Sequence, residues 1–249
     1  MRILLISDIH GNLEALESCF KAAEKEKIDT INVLGDIVGY MANPNECVEK
    51  VKEFECILGN HDNAVFNDEE LKYFNSYAAK AIMWTRENIK KRNMDFLSSL
   101  NNSKVFIQHN YTITHGSLCD PLEYIEYEYQ AERIMEIATT PLVFAGHTHV
   151  PAMWRLYEKD DKPHILKVNG DSLTFNRDIQ LEKDKKYIIN IGAVGQPRDG
   201  NPKGCCAIYD SIEYTVKYLR FEYPVEETVQ KIKANNLPVF LHKRLLKGE

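Results

Sequence analysis

Six short apolar runs recur along the chain, and each stops at a cluster of glycine and polar residues. Ile3-Leu4-Leu5-Ile6 leads into Ser7-Asp8-Ile9-His10, and Ile31-Asn32-Val33-Leu34 into Gly35-Asp36. Cys56-Ile57-Leu58 leads into Gly59-Asn60-His61-Asp62, and Tyr111-Thr112-Ile113-Thr114 into His115-Gly116. Leu142-Val143-Phe144-Ala145 ends at Gly146-His147-Thr148-His149, and Tyr187-Ile188-Ile189-Asn190-Ile191 at Gly192-Ala193-Val194-Gly195. Runs this short, rich in Ile, Val and Leu and closed by glycine, read as buried strands. Between the first three lie helical segments. Leu13, Leu16, Phe20 and Ala23 recur at spacings of three and four after Asn12, a good N-cap, and Pro44 suits the first turn of a second helix. Strands alternating with helices give βαβ units and a largely parallel sheet. Ligands of such sheets bind beyond the carboxyl ends of the strands. All six polar clusters therefore fall where a site belongs.

The rest of the chain is read more coarsely. Residues 68–93 read as one long helical stretch with Leu71, Phe74, Ala78, Ala81, Thr85 and Ile89 on one face. Lys90-Lys91-Arg92 would then sit at its C-terminus, where the dipole favours cations. From Val150 onward alternating runs predict hairpins, 152–157 with 164–168 and 205–209 with 214–221, forming a second sheet packed on the first. Residues 225–234 read as a closing helix followed by a basic tail. No repeat or linker interrupts the pattern, so residues 1–249 read as a single domain.

Composition removes several classes of function. Acidic residues number 37 against 31 basic ones, a net charge of −6 that argues against long nucleic acids. The apolar start breaks at Ser7 and Asp8, too early for a signal-peptide core, and no apolar stretch approaches the ~20 residues of a membrane span. The six cysteines form no CxxC pair, so neither a disulfide framework nor a thiolate metal site is indicated. A cytoplasmic protein that meets no membrane is expected.

The polar clusters contribute Asp8, His10, Asp36, Asn60, His115, His147 and His149. Two carboxylates, an amide oxygen and four imidazoles are oxygen and nitrogen donors without thiolate, a set that suits Mn, Fe, Zn or Co, with Mg or Ni as further options. Seven donors exceed the three protein ligands of a mononuclear catalytic site, and fit two divalent ions sharing a carboxylate. Asp8 with His10, and His147 with His149, are two residues apart, which on extended backbone points each pair the same way. Gly146 would let the chain turn sharply before the second pair.

The series SDIHGN, GDIVGY, GNHD, THG and GHTH, spanning positions 7–149, resembles the calcineurin-like metallophosphoesterases. GDIVGYMANPNE, FNSYAAKAIMWTRENI, IGAVGQPRDG and LPVFLHKRLLKG extend the likeness to a branch of small prokaryotic phosphoesterases over nearly the whole chain. That branch includes proteins similar to phosphodiesterases and diadenosine polyphosphate hydrolases. The resemblance implies a four-layer α-β-β-α sandwich of two mixed sheets flanked by helices. It implies that Asp8, His10, Asp36 and His149 hold one metal, and that Asp36 bridges to a second held by Asn60, His115 and His147. A solvent activated between the metals would attack phosphorus in line, with His61 contacting the phosphate and protonating the leaving oxygen. The implied substrate is a small phosphodiester or nucleotide phosphoanhydride. A protein phosphatase-like monoesterase is the alternative, and a metal-binding interaction module without turnover is a third reading.

The chain departs from that family's usual G-D-x-x-D-R, because Gly39 and Tyr40 stand in place of the D-R pair. Asp62 is read either as the group that orients His61 or as a turn residue. Arg198 is read either as a phosphate contact or as a surface ion pair. Cys119 reads as a buried apolar cysteine. Tyr124, Tyr127 and Tyr129 read as a surface for stacking a nucleobase, as packing, or as the interface of a homo-oligomer.

Overall fold

The first strand, β1 (Arg2–Ile6), divides its side chains between two cores, and that division sets the layers of the molecule. Ile3 and Leu5 join one core while Leu4 and Ile6 join another, as the two-residue strand period requires. All four are buried, so each contributes roughly 1.5–3 kcal/mol of burial. The computed structural model describes residues 1–159 and 162–249.

After β1 come α1 (Leu13–Ala23), β2 (Thr30–Val33), α2 (Pro44–Val51) and β3 (Glu55–Cys56). Four helices follow: α3 (Asn60–Ala64), α4 (Asp68–Leu71), α5 (Ser76–Asn88) and α6 (Lys91–Ser98). A second series is β4 (Ser103–Phe106), β5 (Tyr111–Thr114), α7 (Glu128–Ile137) and β6 (Leu142–Ala145). The chain continues through β7 (Ala152–Lys159), β8 (Lys162–Asn169), β9 (Ile179–Gln180) and β10 (Lys186–Asn190). It closes with β11 (Gly204–Asp210), β12 (Thr215–Phe221), α8 (Val225–Ala234) and α9 (Val239–Lys247).

The strands form two six-stranded mixed sheets, ordered β3-β2-β1-β11-β12-β9 and β4-β5-β6-β10-β7-β8. Each has a parallel part, β1 to β3 in the first and β5, β6 and β10 in the second. Ile3 and Leu5 meet Phe144, Ile189, Tyr209 and Tyr218 in a core between the sheets. The outer face of the first sheet packs on α1 and α2 through Leu16, Cys19 and Val48. The outer face of the second packs on α7 through Ile134, against Val143, Ile188 and Trp154. The result is the expected α-β-β-α sandwich, with both parallel parts ending at the same polar clusters.

Four details differ from the sequence reading. The two hairpins do not make a sheet of their own: β11–β12 joins β1 in the first sheet and β7–β8 joins β10 in the second. The stretch 68–93 is broken into α4, α5 and the start of α6. Asn75 restarts the helix, its Oδ1 accepting from the Tyr77 and Ala78 N–H groups at 3.1 and 3.0 Å. Lys90-Lys91-Arg92 consequently stand at the N-terminal end of α6, where the dipole disfavours cations. Lys91 pairs with Asp95, and Arg92 with Glu49 at 2.7 Å, which offsets that. The expected basic tail is the helix α9, whose Leu241 and Leu245 pack with Ile232 against Ala78 and Ala81 of α5. No helix among the described residues is long and apolar enough to cross a membrane.

Candidate active site

The strand ends turn through left-handed backbone. Asp8, His10, Asp36, His147 and His149 all have positive φ, from 52° to 68°, and make up half of the ten such non-glycine residues described. Asp8 and His10 thus reach one site through a turn, rather than through the extended alternation that their spacing suggested. The turns are locked across strands: Asp8 N–H donates to the Gly35 carbonyl at 3.1 Å and His10 N–H to that of Asp36 at 2.8 Å. Gly146 has no positive φ; it is small because a Cβ there would lie 2.1 Å from Ser7 Oγ and 2.7 Å from Asp8 Oδ2.

Asp8 and Asp36 each have one carboxylate oxygen tied and one free. Asp8 Oδ2 accepts from the His147 N–H at 3.0 Å, and Asp36 Oδ1 from the His61 N–H at 2.8 Å. Asp8 Oδ1 and Asp36 Oδ2 are buried without a hydrogen-bond donor. Around them converge imidazole nitrogens and an amide oxygen. His149 Nε2 lies 3.1 Å from both Asp8 Oδ1 and His10 Nε2, and His10 Nε2 lies 3.5 Å from Asp36 Oδ2. On the other side His115 Nε2 lies 3.3 Å from Asp36 Oδ2 and 3.1 Å from Asn60 Oδ1. The ligating atoms of Asp8, His10, Asp36 and His149 lie within 4.8 Å of one another, as do those of Asp36, His115 and His147. Asp36 belongs to both groups.

Backbone carbonyls select the tautomers. His149 Nδ1 donates to Gln196 at 2.5 Å and His115 Nδ1 to Leu34 at 2.7 Å, so each Nε2 is turned inward. His147 Nε2 donates to Leu122 at 3.1 Å, which leaves its Nδ1 as the ligating atom. Such outer hydrogen bonds orient the imidazoles of metal sites.

Burial lowers His61 to about 4 and His147 to about 3, and also holds His10 and His149 below the usual imidazole range. For Asp8 and Asp36 burial opposes ionisation, but His149 beside Asp8 and His115 beside Asp36 outweigh it and hold both carboxyls low. His115 is the exception: burial pushes it down, yet Asp36 prevails and raises it to about 10. Its extra proton supplies a positive charge where the two free carboxylate oxygens ask for one. Ionised carboxylates beside buried imidazoles, neutral except for His115, which must give up its extra proton to ligate, fit a divalent cation.

The other candidates are distributed around this cluster. Asp62 does not hydrogen-bond the His61 ring: its Oδ1 accepts from Val38 N–H at 3.0 Å and its Oδ2 from Gly59 N–H at 3.1 Å. It therefore braces the turn into α3, and the expectation that it orients His61 is corrected. Burial and the charge of Asp36 raise it to about 7. His61 Nδ1, buried and unpartnered, lies over Gly39 (φ 137°), where a Cβ would stand 2.5 Å from it. Tyr40 packs against both His10 and His61, with ring centroids 4.5 and 4.4 Å away. Arg198 Nη2 donates to the Tyr40 hydroxyl at 3.3 Å and to Gln196 Oε1 at 3.0 Å, with no carboxylate partner among the described residues. The guanidinium thus stands beside the site rather than in a surface ion pair.

Of the aromatics that bear on the site, Tyr73 carried no signal in the sequence, Phe74 was read only as part of a helical face, and Tyr40 only as a departure from the D-R pair. Tyr40, Tyr73 and Phe74 line, with Tyr124, a cavity of about 250 Å³ that also exposes Asn60, His61 and His147. Tyr127 and Tyr129 instead stack on each other in solvent. Cys119, expected to be buried, is exposed. A larger cavity of about 460 Å³, between α5 and α9, has no histidine, cysteine or carboxylate in its lining.

The sequence model described as the calcineurin-like phosphoesterase superfamily domain matches residues 1–212. The chain belongs to that superfamily. It is a phosphoester hydrolase of a metal-dependent family, and the two donor groups around Asp36 are its candidate metal site. An uncharacterized protein of Methanocaldococcus jannaschii is 38% identical over 255 residues, covering 99% of this phosphoesterase and 98% of the relative. A metallophosphoesterase from Sphaerobacter thermophilus superposes with a TM-score of 0.84 at 36% identity, over 100% of this chain and 99% of that one. A hypothetical protein from Pyrococcus horikoshii shares the fold alone, with a TM-score of 0.77 at 18% identity over 100% and 98% of the two chains.

Proposed function

We propose that this phosphoesterase hydrolyses a small phosphodiester or nucleotide phosphoanhydride with two divalent cations, Mn, Fe or Zn suiting the donors best. In this reading Asp8, His10, Asp36 and His149 hold one cation, and Asp36, Asn60, His115 and His147 the other. The observation that carries it is Asp36 Oδ2, buried, without a donor, and within 3.5 Å of a histidine from each group. Bound cations would neutralise phosphoryl oxygens and make water a competent nucleophile.

The remaining residues act on the substrate directly. His61, lowered to about 4, is neutral at pH 7 and donates an N–H to a phosphoryl or leaving oxygen. An anionic phosphate beside it would raise its proton affinity, so that His61 takes up a second proton and, as the imidazolium, gives one to the leaving oxygen as the ester bond breaks. Arg198 supplies fixed positive charge from the loop after β10, in the role that the missing arginine at position 40 leaves open. The domain is taken as residues 1–249, because α8 and α9 pack on Tyr40, Met41 and α5, the wall of the site. The partners follow from charge: a compact phosphorylated substrate rather than long nucleic acid.

The test is activity of the protein reconstituted with Mn, Zn or Fe against phosphomonoesters, diesters and dinucleoside polyphosphates. Diester or anhydride turnover that vanishes on chelation is expected. Turnover confined to monoesters would replace the substrate assignment, and none on any ester with the site loaded would overturn the hydrolytic reading.

A further inference from the structure

The cavity of about 250 Å³ has two unlike parts. Its floor carries Asn60, His61 and His147, where the phosphate of the proposed reaction must lie. Its wall carries Tyr73, Phe74 and Tyr124, with no lysine, arginine or carboxylate in the lining. A site for phosphate alone has no use for such a wall.

Two of the three rings are already anchored. Tyr124 stacks on the His147 ring with centroids 4.2 Å apart and planes 25° from parallel. Phe74 meets His61 edge-on at 4.6 Å. Tyr73 is different. It is 76% exposed at the lip, on the short link between α4 and α5, and packs against no other ring among the described residues. At the lip of the cavity its exposed ring offers a face on which a planar ligand can stack. Asn75 stands in the same lining with its Oδ1 committed to capping α5, which leaves its Nδ2 as a donor for a carbonyl or ring nitrogen.

We propose that Tyr73 and Tyr124 form a slot for a planar aromatic group joined to the phosphate, so that the substrate is a nucleotide ester or anhydride rather than an alkyl or sugar phosphate. The proposal rests on the phosphoesterase reading of the same site. Stacking a base on an aromatic side chain is worth about tenfold or more in affinity.

The metal-reconstituted protein is titrated calorimetrically with AMP and with ribose 5-phosphate, which keeps the sugar and phosphate but lacks the base. AMP is expected to bind about tenfold more tightly, Tyr73→Ala to close most of that gap, and Tyr73→Phe to keep it. Equal affinities in the unaltered protein, or a gap undiminished by Tyr73→Ala, overturn the slot while leaving the phosphoesterase reading intact. If neither ligand binds and no phosphoester in the activity panel is cleaved, the reading beneath it falls and the slot with it.

Discussion

Replacing Gly39 with alanine tests the strongest departure of this chain from its family pattern. The backbone there has φ 137°, which side-chain-bearing residues rarely adopt, and a Cβ would meet His61 Nδ1 at 2.5 Å and His10 Nδ1 at 3.1 Å. Relief requires the His61 ring to retreat by nearly 1 Å from ordinary contact. Tyr40, Phe74 and His10 surround that ring, with centroids 4.4 to 4.6 Å away, so it has nowhere to go. Backbone strain costs about 1–3 kcal/mol and overpacking a similar amount, together roughly 2–6 kcal/mol. At roughly 2–4 °C per kcal/mol for a chain of this size, Tm should fall by about 5–20 °C. A misplacement near 1 Å at a substrate-contacting group lowers kcat by roughly 10²-fold. Metal content should persist, because His10 faces the cluster through Nε2 and Gly39 through Nδ1. Calorimetric melting, metal analysis and steady-state kinetics read the three effects. Gly39→Asp should fail in the same way although it restores the acid of the family signature, since its Cβ occupies the same place. A Gly39→Ala protein that melts within about 2 °C of the parent and keeps its kcat would refute the steric account.

Three further outcomes follow from the same geometry. Asp36→Asn should lose both cations together, since the free Oδ2 faces both donor groups; two tightly held metals in that variant would refute the bridge. Arg198→Ala should raise KM by about tenfold with a smaller change in kcat, as expected for loss of uniform binding; an unchanged KM removes Arg198 from phosphate binding. Metal uptake near pH 7 should release about one proton from His115, which at about 10 is protonated there. Because the cation needs that proton gone, affinity should rise with pH up to about 10, and titration heats should vary with the ionisation enthalpy of the buffer. Buffer-independent heats would show that His115 enters the reaction neutral.

The strands and the donor residues were legible in the sequence for a local reason. A buried parallel strand is a short apolar run, and a residue just past it, in a sheet of this class, stands at the ligand-binding edge. What stayed hidden was non-local. The pairing of Arg2 with Asp210 that puts β11 beside β1 joins residues from opposite ends of the chain, and nothing in either hairpin declares its sheet. The break at Asn75 was hidden because Leu71 and Phe74 fit the helical spacing of Ala78 and Ala81 despite the cap between them. Tyr73 matters through its place at the lip of the cavity, and tyrosines elsewhere in the chain have the same local signature. Of the two readings of Asp62, the turn residue holds, because adjacency to His61 in sequence is not adjacency of side chains: at the start of α3 the two point to different partners.

The five left-handed donors bear on why the site exists at all. Each such residue costs about 1 kcal/mol or more, so the group of five costs on the order of 5 kcal/mol, a large part of the ~5–15 kcal/mol that stabilises a typical domain. Glycine at those positions would remove the strain, and the chain uses glycine freely nearby, at 11, 35 and 39. Stability alone therefore selects against Asp8, His10, Asp36, His147 and His149, and so do the two carboxylate oxygens buried without donors. The cross-strand bonds from Asp8 and His10 hold the turns in place but make no use of their side chains. A ligand that binds only the folded state stabilises it by about 4 kcal/mol at a thousand times its dissociation constant, which is the size of the strain. Strain, missing donors and lone-pair chemistry coincide at the same residues, and a cation is the one ligand class that answers all three.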